Sequence, residues 1–459
     1  MNCIVIGGGP GGYVAAISAA KKGASVTLVE KGYLGGTCLN RGCIPTKAIL
    51  HSAHAYHHAL NSFPGIGINL EGVSLDFGAV MKNKDKVVAK LRGGVDYLLK
   101  KNGVKVIAGE AEFIDSRNIR VRTGSGDVSL SAEAFIIATG SSPISLPFAQ
   151  FDGARVLSSD HILEIDRLPS SLAIIGGGVV GCEFAQAFAR MGVKVGIVEM
   201  LPRLIANMDP EQSSLMERVL KRDKIDLYLQ HGVTGVEVSE AGVRLSFKDP
   251  GGAVKELEAE KLLVAVGRAP NTAALGLANA GVRRSTNGFI EVDDGMHTNV
   301  PGIYAIGDVT GKMQLAHVAS HQGIVAAANM LGGHDEMDYS AVPQCIYTEP
   351  EIASIGQTET SSDVSLVRKG MFPASANGRS MIEGVTDGFS KVLVDRDSLT
   401  VLGLHLAGAG VTEMVSHMTG LIQWEVTLED LHSRIYAHPS ISEMVQESFL
   451  DAEGMAIHI

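Results

Sequence analysis

The sequence predicts an α/β protein with two Rossmann-like dinucleotide-binding domains plus a C-terminal α+β domain. Three observations carry this expectation. A strand, a glycine cluster, a helix and a second strand occur in that order twice; apolar strands running to a glycine recur after each copy; both signals stop near Ala341. At 459 residues the chain is long enough for about three domains. A hydrophobic fraction of 45% with 19% charged residues places it among well-packed globular proteins, and its 54 glycines cluster at strand-to-helix turns instead of following a fibrous period.

The first copy opens with the apolar strand Cys3 to Ile6, which ends in Gly7-Gly8-Gly9-Pro10-Gly11-Gly12. An alanine-rich helix follows from about Tyr13 to Lys22, then a strand from Ser25 to Val29 that ends at Glu30. The second copy repeats the layout with strand Leu172 to Ile175, a helix to Arg190, strand Lys194 to Val198 and Glu199. Gly7, Gly9, Gly12 and Glu30 map onto Gly176, Gly178, Gly181 and Glu199 with one constant offset. In each copy the glutamate stands eighteen residues after the last glycine, the context in which such glycines bind a dinucleotide. The glycines let a pyrophosphate reach the helix N-terminus, where free amides and the helix dipole favour negative charge. The glutamate accepts from ribose hydroxyls, and Glu199 would repel a 2′-phosphate, so the second site is expected to prefer NAD over NADP, with Arg203 close by.

Three more apolar runs read as strands ending where backbone meets a ligand: Phe135 to Gly140, Leu262 to Arg268, and Gly302 to Asp308. Beyond Ala341 the reading changes to short strands at Lys391 to Val394 and Thr400 to His405, with helices around Glu413 to Ile422 and Ser440 to Phe449.

Between the first glutamate and the next helix lies Gly35-Gly36-Thr37-Cys38-Leu39-Asn40-Arg41-Gly42-Cys43-Ile44-Pro45-Thr46-Lys47. Residues five apart on a regular helix have Cα atoms on the order of 8 to 9 Å apart, whereas a disulfide needs roughly 4.4 to 6.8 Å. A Cys38–Cys43 bridge therefore requires bent backbone. Gly42 relaxes the chain, and Pro45 is expected to push Ile44 away from helical dihedrals. Bridges closed under such constraint are the reducible kind.

Charge and cysteine usage narrow the function. A net charge of −11 without any basic run argues against nucleic-acid binding. Five cysteines are too few and scattered for an extracellular framework, so a cytoplasmic setting with one redox disulfide is expected. The N-terminus enters a strand without the basic and long apolar regions of a signal peptide, and no stretch is apolar enough to span a membrane. Cys3, Cys182 and Cys345 lack a vicinal partner and read as buried small hydrophobes. His51, His54, His57 and His58 read as a polar helix surface, not a metal site, since no Cys or carboxylate joins them at ligand spacing. Lys82, Lys84, Lys86 and Lys90 read as a solvated helix face.

These motifs together resemble the pyridine nucleotide-disulfide oxidoreductases over essentially the whole chain. The order of the thiol run relative to both glycine fingerprints, to Ala265-Val266-Gly267-Arg268-Ala269-Pro270-Asn271, to Ala305-Ile306-Gly307-Asp308 and to His438-Pro439 carries the resemblance. Within the family the chain is most similar to members that oxidise dihydrolipoyl groups with NAD. The resemblance implies an FAD-binding domain at 1–145 and 270–341, an NAD-binding domain at 146–269 and a dimer-interface domain at 342–459. For FAD it implies Gly7, Gly9, Gly12, Glu30, Gly36, Thr37, Lys47, Ala111, Thr139, Gly140, Asp308, Ala316 and His317. For NAD it implies Gly176, Gly178, Val180, Gly181, Glu183, Glu199, Val233 and Gly267.

The same resemblance makes Cys38 the sulfur that exchanges with substrate and Cys43 the one against the flavin. Lys47 and Glu183 pair beside the flavin, and His438, oriented by Glu443, is the base contributed by the other subunit of an obligate homodimer. An imidazole with a carboxylate partner can take a thiol proton near neutral pH. The dihydrolipoyl groups would be carried on 2-oxo acid dehydrogenase or glycine cleavage proteins. Two positions depart from the family pattern: Tyr436 stands where a second histidine often precedes the base, and Gln322 where an acid often precedes Gly323. The nearest alternative is another NAD(P)H-dependent disulfide reductase of the glutathione reductase kind, which Glu199 and the Cys-Ile-Pro-Thr-Lys ending disfavour.

Overall fold

The structure, a computed structural model, describes residues 1–459. The chain forms two compact units: Met1–Ala48, Ala79–Ile144 and Gly267–Asp338 make the first, and Ile49–Gly78, Ser145–Val266 and Tyr339–Ile459 the second. The helices that matter for the site are α1 (Pro10–Lys21), α2 (Gly36–Arg41), α3 (Cys43–Asn61), α4 (Phe77–Lys101), α5 (Val179–Arg190), α6 (Pro210–Arg222) and α7 (Ala316–Met330).

A five-stranded parallel sheet organises the first unit, in the order Ile303–Ala305, Ala134–Ile137, Asn2–Ile6, Ser25–Glu30, Lys105–Ala108. Its central strands are continuous apolar runs because helices and loops cover both faces. Ile4, Ile6, Phe135 and Ile137 join Phe113 in one core; burying each such side chain contributes roughly 1.5–3 kcal/mol. Helix α1 presents Gly11, Gly12, Ala15, Ala16 and Ala19 as its buried face. Small residues let it lie tightly against α7, since a Cβ on Gly323 would come within 2.6 Å of the Gly11 carbonyl oxygen.

The second unit holds a parallel sheet ordered Asp226–Leu229, Lys194–Glu199, Ser171–Ile175, Lys261–Val264, Val156–Leu157. It also holds a five-stranded antiparallel sheet ordered Gln344–Ile346, Glu351–Gly356, Val401–Gly408, Phe389–Asp395, Val367–Pro373. Helix Glu443–Ala452 packs on this second sheet, where Gly370 leaves room for the Ser448 carbonyl.

Several expectations need correction. The helix expected over 413–422 is broken into Val411–Met414, a 3₁₀ turn at Val415–Met418 and Thr419–Gln423; threonines and Gly420 weaken helix propagation there. The last helix begins at Glu443 instead of Ser440, and just ahead of it the Ser440 N–H donates to the Glu443 carboxylate at 2.7 Å. Lys84 is only 2% exposed. It lies four residues from both Val80 and Val88, which places it on the buried face of α4, and it pairs with Asp85 at 2.9 Å. Cys3 and Cys182 are buried as expected, but Cys345 is half-exposed.

Candidate active site

Helix α2 ends at Gly42, whose φ of −145° and ψ of −115° turn the chain before α3 starts at Cys43. That turn brings the Cα atoms of Cys38 and Cys43 to 4.7 Å, and the two sulfurs are bonded. The bend comes from Gly42 alone. Ile44 and Pro45 are both helical, because Pro45 falls in the first turn of α3 where no intrahelical donor is required. Lys47 stands one turn further along the same helix. A brace absent from the sequence reading holds α2: Asn40 donates to the Gly36 and Leu34 carbonyls at 2.8 and 3.0 Å, and Arg92 donates to Asn40 Oδ1 at 2.9 Å. The Arg92 guanidinium also lies 3.9 Å from the centre of the Tyr33 ring.

Both glycine turns share a local geometry that suits a dinucleotide. Glu30 accepts from the Gly8 and Gly32 amides at 2.6 Å each, and Glu199 from those of Gly177 and Leu201 at 2.6 and 2.7 Å. Each carboxylate is thus aimed by its own loop and keeps lone pairs for further donors. A Cβ on Gly12 would collide with the Gly7 carbonyl oxygen, and one on Gly181 with that of Gly176. Neither α1 nor α5 has a side-chain cap, whereas α6 carries a full capping box from Asp209 and Gln212. The first amides of α1 and α5 thus have no side-chain acceptor, and helix ends of this kind can take an anion.

The other residues expected at a flavin fall in the first unit. Thr139 Oγ1 donates to the Asn271 carbonyl, and Asn271 Nδ2 donates back to that of Thr139, both at 2.9 Å. Next to them Gly140 adopts a φ of +67°. Asp308 Oδ2 accepts from Ser141 Oγ at 2.5 Å, and Arg268 Nε donates to the same hydroxyl at 2.7 Å. Ala316 and His317 form the first turn of α7, again without a side-chain cap. Gln322 is fully buried, and its Oε1 accepts the Gly307 N–H at 2.6 Å, so the amide retains the acceptor that the missing acid would have offered. Ala111 is buried in a strand, Gly36 packs against Gly9, and Thr37 is the second residue of α2; Gly267, expected for NAD, also falls in the first unit and has a φ of +125°.

In the second unit one face of α5 grips the segment 347–349. Glu183 Oε1 accepts the Tyr347 N–H at 3.0 Å, and Gln186 accepts the Glu349 N–H at 2.7 Å while donating to its carbonyl at 3.0 Å. Arg190 pairs with the Glu349 carboxylate and, at 3.1 Å, with Asp223. His58 meets Glu349 at 2.6 Å. The expected polar histidine surface is thus partly an ion-pair cluster. Burial, reinforced by the Arg190 guanidinium, pushes the His54 imidazole down to about 4. Burial opposes ionisation of Glu349, yet Arg190 and the histidines hold it below the usual carboxylate range. Tyr347 is pushed up to about 12, chiefly by burial.

Val180 lies in the first turn of α5 and Val233 in the strand Gly232–Val238. Arg203 is engaged by the Ala206 carbonyl at 3.0 Å. His438 Nδ1 lies 2.9 Å from Glu443 Oε1 with its side chain 80% exposed. Burial would raise Glu443, but bonds from His438 and the Ser440 amide outweigh it and hold the carboxyl below its ordinary range.

Comparison with known proteins places this arrangement. The sequence profile described as "Pyridine nucleotide-disulphide oxidoreductase" matches residues 1–323, and that of the family's dimerisation domain matches residues 342–449. The chain belongs to the pyridine nucleotide-disulphide oxidoreductase family. It is 40% identical over 459 residues to the dihydrolipoyl dehydrogenase of Chlamydia pneumoniae, covering 100% of this chain and 98% of that one. It is 40% identical over 463 residues to a dihydrolipoyl dehydrogenase of Bacillus subtilis, covering 100% of both. Among solved structures it is similar to LpdA from Mycobacterium tuberculosis, with a TM-score of 0.91 and 28% identity over 98% of this chain and 99% of that one. It is also similar to the flavoprotein disulfide reductase RclA from Escherichia coli, with a TM-score of 0.86 and 29% identity over 98% and 99% of the two chains.

Membership in this oxidoreductase family implies a flavin and a pyridine nucleotide, and the matched dimerisation domain supports a homodimer. No helix is long and apolar enough to cross a membrane. Sequence reasoning missed Asn40, Arg92, Gln186, Arg190 and Glu349. Only the spacing of Glu183, Gln186 and Arg190 along one helix face could have signalled the last group.

Proposed function

We propose that this chain is an NAD-dependent dihydrolipoyl dehydrogenase that works as a cytoplasmic homodimer with FAD. The observation that carries the reading is the Cys38–Cys43 disulfide closed across the junction of α2 and α3, one turn before Lys47. Full-length similarity to dihydrolipoyl dehydrogenases supports the substrate. On this reading FAD belongs to 1–145 and 270–341, NAD to 146–269, and the subunit interface to 342–459. The lipoyl groups are borne by 2-oxo acid dehydrogenase or glycine cleavage proteins.

One substrate thiol, deprotonated by His438 of the partner subunit, attacks Cys38 Sγ, and the bond to Cys43 breaks to leave Cys43 as thiolate. Glu443 keeps the imidazole turned toward the substrate and stabilises its charged form. The second substrate thiol then attacks the sulfur bonded to Cys38, which releases the substrate as its disulfide and frees Cys38. FAD, when bound, supplies the two-electron carrier between Cys43 and the nicotinamide. Lys47 would supply a positive charge for the bound flavin, and Glu183 a compensating negative one. Two electrons and one proton end on NAD as hydride, and the second proton leaves through His438.

Assay of the purified holoprotein with NAD and dihydrolipoamide, against NADPH and glutathione disulfide, tests the assignment. Turnover is expected with the first pair only. Cys43→Ser is expected to abolish lipoamide-dependent NAD reduction while the flavin stays bound; wild-type turnover in that variant would refute the reading.

A further inference from the structure

We infer that Gln186 is a positioning residue for Glu183, acting through the segment 347–349. The inference rests on the proposed role of Glu183 at the hydride-transfer end of the site.

Glu183 is 2% exposed, and a buried carboxylate stays where its donors hold it. The Tyr347 N–H, at 3.0 Å, is such a donor. Two residues further on, Gln186 grips the backbone of Glu349 from both sides: its Oε1 takes the N–H at 2.7 Å and its Nε2 gives to the carbonyl at 3.0 Å. The same Nε2 donates to Asp223 Oδ2 at 3.0 Å, so the amide is fixed in one orientation. Arg190 adds a contact to the Glu349 carbonyl at 3.2 Å. Because Glu183, Gln186 and Arg190 follow one another at helical spacing, they lie along one side of α5 and hold the segment as a row.

The row is not a requirement of the βαβ turn. At the corresponding positions of the first repeat, α1 carries Val14, Ile17 and Lys21, and that turn forms equally well. Gln186 is itself 0% exposed, so its hydrogen bonds have no water to replace them. Without the clamp on Glu349, the Tyr347 amide loses its register on Glu183, and the Glu183 carboxylate drifts.

Rapid mixing of the holoenzyme separates the two half-reactions by flavin absorbance: reduction by NADH and reduction by dihydrolipoamide. Gln186→Leu removes every hydrogen bond at near-constant volume. Its NADH-driven rate is expected to fall about ten-fold or more, the scale of a sub-ångström misplacement. Its dihydrolipoamide-driven rate should stay within about two-fold of wild type, with flavin content retained. Glu183→Gln, which alters the carboxylate itself, should slow the NADH limb at least as much. Gln186→Glu keeps the acceptor for the Glu349 amide and loses the donors, so it should give a smaller loss in the NADH limb and serves if the leucine variant does not fold. A normal NADH limb in the Gln186 variants beside a slow one in Glu183→Gln overturns the inference and leaves the role of Glu183 standing. Normal NADH limbs in both overturn that role as well. Equal losses in both limbs with a lowered melting temperature would make Gln186 merely structural and equally overturn the inference.

Discussion

In both glycine turns a glutamate accepts two amides of its own loop, yet Glu30 is half-buried while Glu199 is 9% exposed, and the helices behind them differ in kind. Helix α1 is a ribbon of glycine and alanine laid against α7, whereas the buried face of α5 carries Glu183, Gln186 and Arg190. The backbone of a dinucleotide turn needs only apolar strands, three glycines and an uncapped helix. What is added beyond that need, at a cost in desolvated polar groups, is a row of side chains that holds the segment 347–349. The first copy instead places its chemistry downstream, where Gly42 folds Cys43 back onto Cys38.

The sharpest way to break this comparison is at the last glycine of each turn. Gly12→Ala drives a methyl into the Gly7 carbonyl, so the variant should purify without flavin and without activity. Gly181→Ala makes the same collision with Gly176, but the variant should remain yellow, be reduced by dihydrolipoamide, and respond to NAD at least about a hundred-fold more weakly. Loss of flavin from both variants would mean the two turns do not divide the cofactors as proposed.

A milder change sharpens the contrast between the two acids. Glu199→Gln keeps the loop in shape but gives up charge-assisted bonds to ribose, each worth about 1.5–3 kcal/mol, so the KM for NAD should rise by roughly ten-fold or more. Discrimination against NADP should fall in the same variant. Steady-state kinetics with both nucleotides checks this, and an unchanged preference would remove Glu199 from the specificity argument.

The smallest effect concerns acid. The ordinary histidine value is 6.5, and His54 in the folded protein is held down to about 4, so between these values the unfolded chain binds a proton that the folded one refuses. Stability is therefore present in full above about 6.5 and is lost as pH falls toward 4, on the order of 2 kcal/mol by pH 5. His54→Gln should flatten the dependence of the melting temperature on pH in this window. Because His54 lies against Arg190 on the elaborated helix, the slope should belong to the second unit; equal slopes in variant and wild type would assign it elsewhere.

Much of this was legible along the chain. The glycine turns with their glutamates, the Cys38 and Cys43 pair and the His438 to Glu443 run are each local, and their geometry follows from residue type at short spacing. The misreadings share a cause. Lys84 looked solvated because its neighbours in sequence are lysines, but four residues either way lie Val80 and Val88 on the buried face of α4. The histidines of α3 looked like a polar surface because Glu349 and Arg190, their partners, stand far away in sequence. Asn40 and Arg92 are 52 residues apart and carry no motif.

By itself, then, the amino-acid order determined the two glycine turns and the Cys38–Cys43 bridge, because glycine freedom, strand alternation and helix termination act over a few residues. Only the tertiary structure decided which polar side chains are taken out of water and by whom they are met. Gln186 against Glu349 and Lys391 among Asp209, Glu211 and Glu359 join residues far apart in the chain. Burial and pairing are set by packing of the whole unit, and no local window of sequence contains them.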